Sequence, residues 1–583
     1  MRYIVMMNLF WKSRILLGPM RPFLAAKLLD GASIAVDRLR FGSMYPTRIT
    51  EALHTRSGLF PLPSKEWFAQ HSPHVLRFAR SMRDGKINRY GITTWVVGQT
   101  DPADVDVRAI LELSRMHHWC AYALAAHIEP DRAEEWAGCF EREVAAFHAA
   151  YTSRACPQWA HPMDVGLRAV SMLVAWDWIR RTGYENIDTD RIIAARAIDH
   201  GLVVFLRRES RGGLSTSHYS ANLLGLLAVD AYVTGSHGLP KWSGFVRSEI
   251  HRELQRQFLP DGMVQEGSTG YHKHVVDIFM MAARLLVSAD GTLHRDFIDT
   301  LGRGLAALDA IEQVGMPLIG DNDDGMAMKP TGFDPTTDFL RDVAAQLGIE
   351  ALPGKQWTSL PAFGLDIYNA PLSLTLRNGD VGQFGKGGHA HHDQNSITVS
   401  IGGRHVIVDP GSSQYTVSAK DRNTQRSVQR HATMWPDDLD QGCIERSTGG
   451  LFWLPAFDIQ HNVLERSEFS WKGLVRHRRG IAHTRTLMRS QDGRSISCVD
   501  ELSAANTGDV HGSVRFPLAP DAHVQVQDGI ATIHVNDVTL ELLWQGASHT
   551  VEEIEIAPAY GTSIRSQMLV LRGSRITWSL RIG

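Results

Sequence analysis

The stretch GGHAHHDQNSITVSIGGRHVIVDPG, residues 387–411, lies where the texture of the chain changes, and its reading decides the fold. Residues 397–401 and 405–408 are short runs rich in β-branched side chains, which pack well on a pleated surface. Between them Gly402-Gly403 is a two-residue hairpin signal, because both central positions of the tight turn need positive φ. That hairpin returns Asp409 toward the beginning of the first strand. Similar runs recur at 372–376, 538–544 and 576–580, punctuated by Gly, Asp and Asn. An antiparallel β-sandwich is therefore expected over residues 365–583.

Working back toward the N-terminus, the apolar residues change to helical spacing. It is visible at 109–127, 132–153, 163–181, 191–207, 218–233, 271–288 and 297–314. A series of antiparallel helices joined by short polar loops implies a toroid or solenoid over 51–364, with no fixed-length repeat. Residues 1–50 form an N-terminal extension in this division. A helical domain followed by a sheet domain leaves a cleft between the two, a common place for a ligand.

At 583 residues with 43% hydrophobic content, the chain is a multidomain globular protein. Its 60 Lys and Arg against 63 Asp and Glu give a formal charge of -3, which supplies no global field for nucleic acid or an anionic membrane. Any polyanion must be recognised locally. Five cysteines, Cys120, Cys139, Cys156, Cys443 and Cys498, carry no metal spacing and imply buried free thiols. The apolar run over residues 1–11 is short, is interrupted by Asn8 and lacks a small-residue cleavage site. It supports neither a clear secretory signal nor a membrane span, and leaves a periplasmic or a cytoplasmic location open.

Chemistry concentrates in three places. The first is His389, His391 and His392 followed by Asp409-Pro410-Gly411. His391 and Asp409 have the donor types of a zinc site, which needs a third ligand; His431 is the candidate, with His477 and His483 in reserve. An ideal ladder would set Asp409 opposite Ser396, so the His-rich loop must curl back for this to work. The second is Asp261-Gly262-Met263-Val264-Gln265-Glu266-Gly267-Ser268-Thr269-Gly270-Tyr271-His272, a Gly-rich loop entering a helix. It puts Tyr271 in the first turn, where the helix dipole favours a developing phenolate. The plainer alternative is a tyrosine packed at a helix end. The third is the loop opening a helix at Ser215-Thr216-Ser217-His218, with Ser217 as N-cap and Asn222 one turn beyond. A lone histidine there is more often structural.

Two further motifs carry less. Gly320-Asp321-Asn322-Asp323-Asp324-Gly325 lacks the closing Glu of an EF-hand, Gly332 standing in its place, and reads as a turn with solvated carboxylates. Gly385-Lys386-Gly387-Gly388 is not a phosphate loop, since no Gly-Lys-Ser/Thr follows.

Taken in order, these segments resemble the heparinase II/III superfamily of polysaccharide lyases over residues 150–490. The resemblance takes in Trp159-Ala160-His161-Pro162-Met163-Asp164-Val165-Gly166-Leu167-Arg168, Ser217-His218, the Glu266 to His272 loop and Gly320-Asp321-Asn322-Asp323. It continues through His389-Ala390-His391, Asp409-Pro410-Gly411, Arg430-His431-Ala432-Thr433 and His483-Thr484-Arg485-Thr486. The resemblance implies an incomplete (α/α) toroid followed by an antiparallel β-sandwich. It implies Tyr271, His218 and His389 as catalytic residues, and His391, Asp409 and His431 as a structural zinc site. Ser217, Asn222, Gln265, Glu266 and Arg168 then fall on the substrate-binding side. This chain departs from relatives at Ser217, where many have Asn, and at His431-Ala432-Thr433, where they have His-Asn-Thr. A hydroxyl donates one hydrogen bond where an amide donates two.

The expected partner is an acidic polysaccharide, cleaved by β-elimination. Removing the uronate C5 proton beside a carboxylate requires that carboxylate to be neutralised, a task for His389 aided by Ser217 or an arginine. Tyr271 either takes that proton itself and returns it to the leaving oxygen, or protonates the leaving group while His218 is the base. A second class of reading is a non-catalytic glycan-binding or assembly protein of an exopolysaccharide pathway. A third is a hydrolase with Glu266 and Asp321 as its carboxylate pair. The glycan's identity and the oligomeric state are not written in the sequence.

Overall fold

The structure is a computed structural model that describes residues 53–85, 106–150, 157–210, 215–234, 243–332, 337–350, 355–442, 451–454, 458–505 and 510–583. The expected N-terminal extension and its apolar run lie outside the described residues, as do Cys156 and Cys443. Among the described residues no helix is long and apolar enough to cross a membrane. Cys120, Cys139 and Cys498 are buried free thiols.

The chain divides into two compact units. One comprises Met1–Glu253, Asp277–His294 and Met326–Leu347; the other comprises Leu254–Val276, Arg295–Gly325 and Gly348–Gly583.

The first unit is helical. Its centre is the helix Pro162–Arg180, which starts on a proline at a position needing no backbone donor and is buried along almost its whole length. It crosses the helix Ser217–Tyr232 where two glycines meet, since a Cβ on Gly225 would stand 2.5 Å from Gly166 Cα. Only paired glycines allow that approach. The indole of Trp178 donates to the Phe60 carbonyl (3.0 Å), and Asp177 accepts from the Phe60 backbone N–H (3.1 Å), which fastens the segment before the helix Lys65–Arg83. The stretch expected as one helix over 109–127 is two, Val107–Ser114 and His117–Ile128. They are broken at Met116, whose φ of 57° leaves the helical region without a glycine to announce it. The helices Lys65–Arg83, Ser243–Gln257 and Asp338–Gln346 were not anticipated from spacing.

The second unit holds the antiparallel sheets. Eight strands lie in the order Ala522–Gln527, Ile530–Val535, Val538–Gln545, Arg575–Ile582, Ser495–Ala504, Ile481–Arg489, Ser470–His477, Ile459–Arg466. A four-stranded sheet runs Ser548–Ile556, Ile564–Gly573, Gly512–Pro517, Met434–Trp435. A five-stranded sheet runs Trp357–Leu360, Leu365–Tyr368, Ser373–Arg377, Ser396–Ile401, Arg404–Ile407. One apolar core joins all three, with Trp471, Leu487, Leu540 and Trp578 facing Val514, Phe516 and Leu569, and Leu374 and Val399 completing it. Under this core Arg485 holds Asp500 through two nitrogens, at 2.7 and 3.0 Å, and His483 donates to the same carboxylate at 2.8 Å.

The Gly402-Gly403 hairpin forms as expected, with φ of 54° and 77° and Ile401 opposite Arg404. Its register shifts by one residue between Val399 and Ser400, so that Val399 pairs with Ile407. On the other flank, Ile397 N–H donates to the Ala432 carbonyl at 3.2 Å. Asp409 and His431 are thereby delivered to either side of the same strand start.

Candidate active site

Tyr271 stands in the first turn of the helix Thr269–Asp290. Ser268 caps that turn, its Oγ accepting from the Tyr271 N–H (3.2 Å) and donating to the Asp321 carbonyl (2.7 Å). Gly270 is required here because a Cβ would stand 2.7 Å from the Asp323 nitrogen. The Gly320 turn is thus pressed onto the helix start. The His389 carbonyl accepts from the Asp321 N–H at 2.8 Å, which joins the His-rich loop to the same turn.

These contacts lay the Tyr271 ring against the His389 imidazole, with centroids 3.6 Å apart and an interplanar angle of 24°. Tyr271 is 3% exposed and His389 5%. The Tyr271 hydroxyl lies 3.5 Å from that of Tyr415. His389 Nδ1 meets Asp321 Oδ2 at 3.1 Å, and its Nε2 lies 3.3 Å from Glu266 Oε2, long for a charged hydrogen bond. Glu266 is fixed by Gln383, whose amide donates to it at 2.9 Å and whose oxygen accepts from the Gly388 N–H at 2.9 Å.

Asp321 is the hub of this arrangement. Besides His389, it accepts from His391 Nε2 at 3.0 Å, from Ser412 at 3.3 Å, and from both terminal nitrogens of Arg422, one at 2.7 Å. Burial opposes its ionisation. The Arg422 guanidinium and the two imidazole hydrogen bonds outweigh that and hold its carboxyl well below the usual carboxylate range. Burial likewise disfavours charge on Arg422, but Asp321 reverses the effect and raises the guanidinium above its ordinary value, with Tyr271 and Tyr415 acting in the same direction. The guanidinium also lies over the Tyr415 ring at 4.9 Å. The sequence reading of this turn as solvated carboxylates is corrected: Asp321, Asp323 and Asp324 are all buried, because the turn is held between the Tyr271 helix and the His-rich loop. Asp321 and Glu266, the two carboxylates of the hydrolase reading, both face the His389 imidazole.

His391, Asp409 and His431 gather as a buried triad whose ligand atoms lie within 4.8 Å of one another. His391 uses Nε2 on Asp321, leaving its buried Nδ1 without a hydrogen-bond partner among the described residues; His431 Nε2 is in the same position. Two orphaned buried imidazole nitrogens beside a carboxylate fit a divalent cation, and the Asp321–His391 bond is the outer-shell contact such ligands usually have. Burial lowers His391 below its ordinary value and keeps its ring neutral, as a ligand must be. Burial acts the same way on His431, but Asp409 outweighs it and raises that ring. A cation would take the place of that proton. Three protein donors gather here among the described residues, one fewer than a closed zinc site has. Of the reserves, His483 is occupied by Asp500, and His477 Nδ1 accepts from the Arg479 N–H.

Gln265 is buried with its backbone tied to Gln257 and Gln383. In the helical unit, His218 Nδ1 lies 3.0 Å from Glu209 Oε1, and Asn222 is fully buried with both ends of its amide on Glu209. Ser217 is the first helical residue and Thr216 the cap, one position earlier than expected. Arg168 is fully buried, donating to the Ser114 (3.0 Å) and Gln158 (3.1 Å) carbonyls and to His200 (3.0 Å). Arg422, Gln383, Ser412 and Glu209 were not singled out from the sequence. Arg422 sits on the short polar helix Ala419–Gln425, which has the composition of an exposed turn and carries no signal of burial.

Two sequence profiles of one family match the chain: "Heparinase II/III N-terminus" over residues 236–317 and "Heparinase II/III-like, C-terminal" over 353–578. Among solved structures, heparinase III is similar with a TM-score of 0.64 at 12% identity, over 98% of this chain and 93% of that one. Heparan sulfate lyase HepC from Pedobacter heparinus is similar with a TM-score of 0.55 at 16% identity, over 95% and 88%. At these identities the likeness concerns the fold, and it bears out the fold class expected from the sequence, a helical toroid followed by an antiparallel β-sandwich. No curated protein sequence matches significantly.

Proposed function

We propose that this chain, which belongs to the heparinase II/III family and is a polysaccharide lyase, cleaves a uronic-acid-containing glycan by β-elimination, leaving a 4,5-unsaturated uronate end. The observation that carries this reading is the stacked Tyr271–His389 pair with Asp321 and Arg422 buried behind it. Elimination needs an acid or base next to donors that accept growing negative charge, and a phenol lying on an imidazole beside a guanidinium is such a set. A hydrolase would need a water-activating carboxylate, and the two carboxylates here are engaged by His389.

In the syn course, the Tyr271 phenolate takes the C5 proton, the C–H electrons form the C4–C5 double bond, and the C4 glycosidic oxygen leaves with the proton returned by Tyr271. The Arg422 cation behind the pair favours the phenolate through its charge. In the anti course, His218 takes the C5 proton and Tyr271 protonates the leaving oxygen. His389 neutralises the substrate carboxylate, which competes with Glu266 for Nε2, and Ser217 contributes one donor. An acidic polysaccharide as substrate is supported by the similarity to a heparan sulfate lyase. His391, Asp409 and His431 would hold zinc, which when bound supplies a fixed charge that sets the His389 loop and takes no part in proton transfer.

Incubation with a panel of uronate polymers, heparan sulfate among them, tests this reading. Elimination gives products that absorb in the ultraviolet and carry no added water. Shortened chains with an added water and no new absorbance would replace the eliminase with a hydrolase.

A further inference from the structure

The helix Ile187–Arg207 ends at Arg208, whose extended ψ of 136° turns the chain toward the first turn of the helix Ser217–Tyr232. Glu209 consequently faces His218 and Asn222, which are four residues apart and share one face of that helix. Three bonds hold the arrangement. The Glu209 N–H donates to Asn222 Oδ1 at 2.9 Å, Asn222 Nδ2 donates to Glu209 Oε2 at 3.2 Å, and Oε1 meets His218 Nδ1 at 3.0 Å. The side chain of His218 is 37% exposed, that of Glu209 21%, and Asn222 not at all. The exposed ring is therefore mounted on a partly covered carboxylate, which is itself fixed by a buried amide.

The chemistry of the contact sets the proton's place on the ring. Burial works against charge on Glu209, yet His218, with His161 and Asn222 adding to it, holds the carboxyl below its ordinary value. An ionised carboxylate only accepts, so His218 Nδ1 must be the donor, and in the neutral ring the lone pair then resides on Nε2. Free imidazole side chains favour the opposite arrangement. Asn222 is fully buried and both ends of its amide are on Glu209, which gives its place in the helix a structural explanation.

We infer that Glu209 is a positioning residue that fixes His218 in the Nδ1–H form with Nε2 as the proton acceptor, and that Asn222 locks Glu209 in place for that task. The inference rests on the proposed elimination only in that His218 is then the base of the anti course. It assigns the charge partner of that base to a residue outside the segments that resemble other lyases. A carboxylate behind an imidazole also stabilises the imidazolium formed on proton uptake.

The test is the ring tautomer, read by nitrogen-15 NMR of histidine-labelled full-length protein, with the His218 signal assigned by its loss in His218→Gln. Wild type is expected to show His218 as Nδ1–H, Glu209→Ala to lose that pattern, and Glu209→Asp to keep it in part. Where the glycan is cleaved, Glu209→Ala is expected to lower kcat by about tenfold or more with KM within about twofold, and Glu209→Asp to recover part of the loss. A wild-type ring that is mainly Nε2–H overturns the inference, and needs no variant to fold. A Glu209→Ala enzyme with wild-type kcat overturns it as well. If the wild type yields no unsaturated product, the elimination reading fails while the tautomer still decides the role of Glu209.

Discussion

Asp321→Asn is the most informative single change to the fold of the candidate site, because it keeps the shape of the hub and removes its charge. Asp321 and Arg422 have side chains with no solvent exposure, and the pair is bidentate with one contact at 2.7 Å. Removing one partner of a buried pair leaves the other charge uncompensated, at a cost of about 3–5 kcal/mol. His389 and His391 each lose a charged acceptor in the same step, so the cost belongs at the upper end of that range. At about 2 °C per kcal/mol, the low end of the scaling for large domains, a loss of this size lowers the melting temperature by about 8–10 °C. The assay is thermal unfolding followed by near-ultraviolet circular dichroism, for Asp321→Asn, Arg422→Met and the two combined. Since both single changes strand a charge and the double change strands none, the double variant is expected to be more stable than the sum of the singles by at least about 1 kcal/mol. A melting temperature for Asp321→Asn within about 1 °C of wild type, or strict additivity in the cycle, would refute the assignment of Asp321 as the hub.

Two other outcomes are expected from the same geometry. Protein purified without added metal should carry about one divalent cation per chain, lost in His391→Ala, and chelation should lower the melting temperature before it abolishes activity; elemental analysis showing metal-free, fully folded protein would remove the cation from the account. Burial holds His117 and His272 at about 4 and His148 at about 3, so the unfolded chain takes up protons near pH 6.5 that the fold refuses. Stability from these groups is therefore complete above about pH 6.5 and falls below it by about 1.4 kcal/mol per pH unit for each. Melting temperatures at pH 7 and pH 5 check this, with His272→Gln expected to shrink the difference; equal values at the two pH values would contradict it.

The change from helical to alternating spacing was legible because both patterns depend on side chains facing a core, and the core residues Leu374, Val399, Leu540 and Trp578 lie in runs recognised by their alternation. The paired glycines at 402 and 403 identified the hairpin through backbone freedom alone. What the sequence concealed was set by distant contacts. The break at Met116 has no glycine or proline to mark it. The Asp321 turn has the composition of a solvated loop, and Arg422, 101 positions away along the chain, together with His389 and His391 makes its burial tolerable. The His-rich loop is expected to curl back so that His391 meets Asp409; the register shift between Val399 and Ser400 and the bond from Ile397 to Ala432 are part of how the triad is assembled, and neither has a local signature. Glu209 falls just beyond a helix end, and no periodicity marks it as facing His218.

The central claim is that the phenol of Tyr271 moves the proton during glycan cleavage. Tyr271→Phe retains the ring that lies on His389 and removes only the hydroxyl, so its melting temperature should match that of wild type. The rate of unsaturated uronate formation on a polymer that wild type cleaves is expected to fall to no more than about a thousandth, the scale of a lost general acid or base. A folded Tyr271→Phe protein that still forms the unsaturated product at a tenth or more of the wild-type rate would contradict the account.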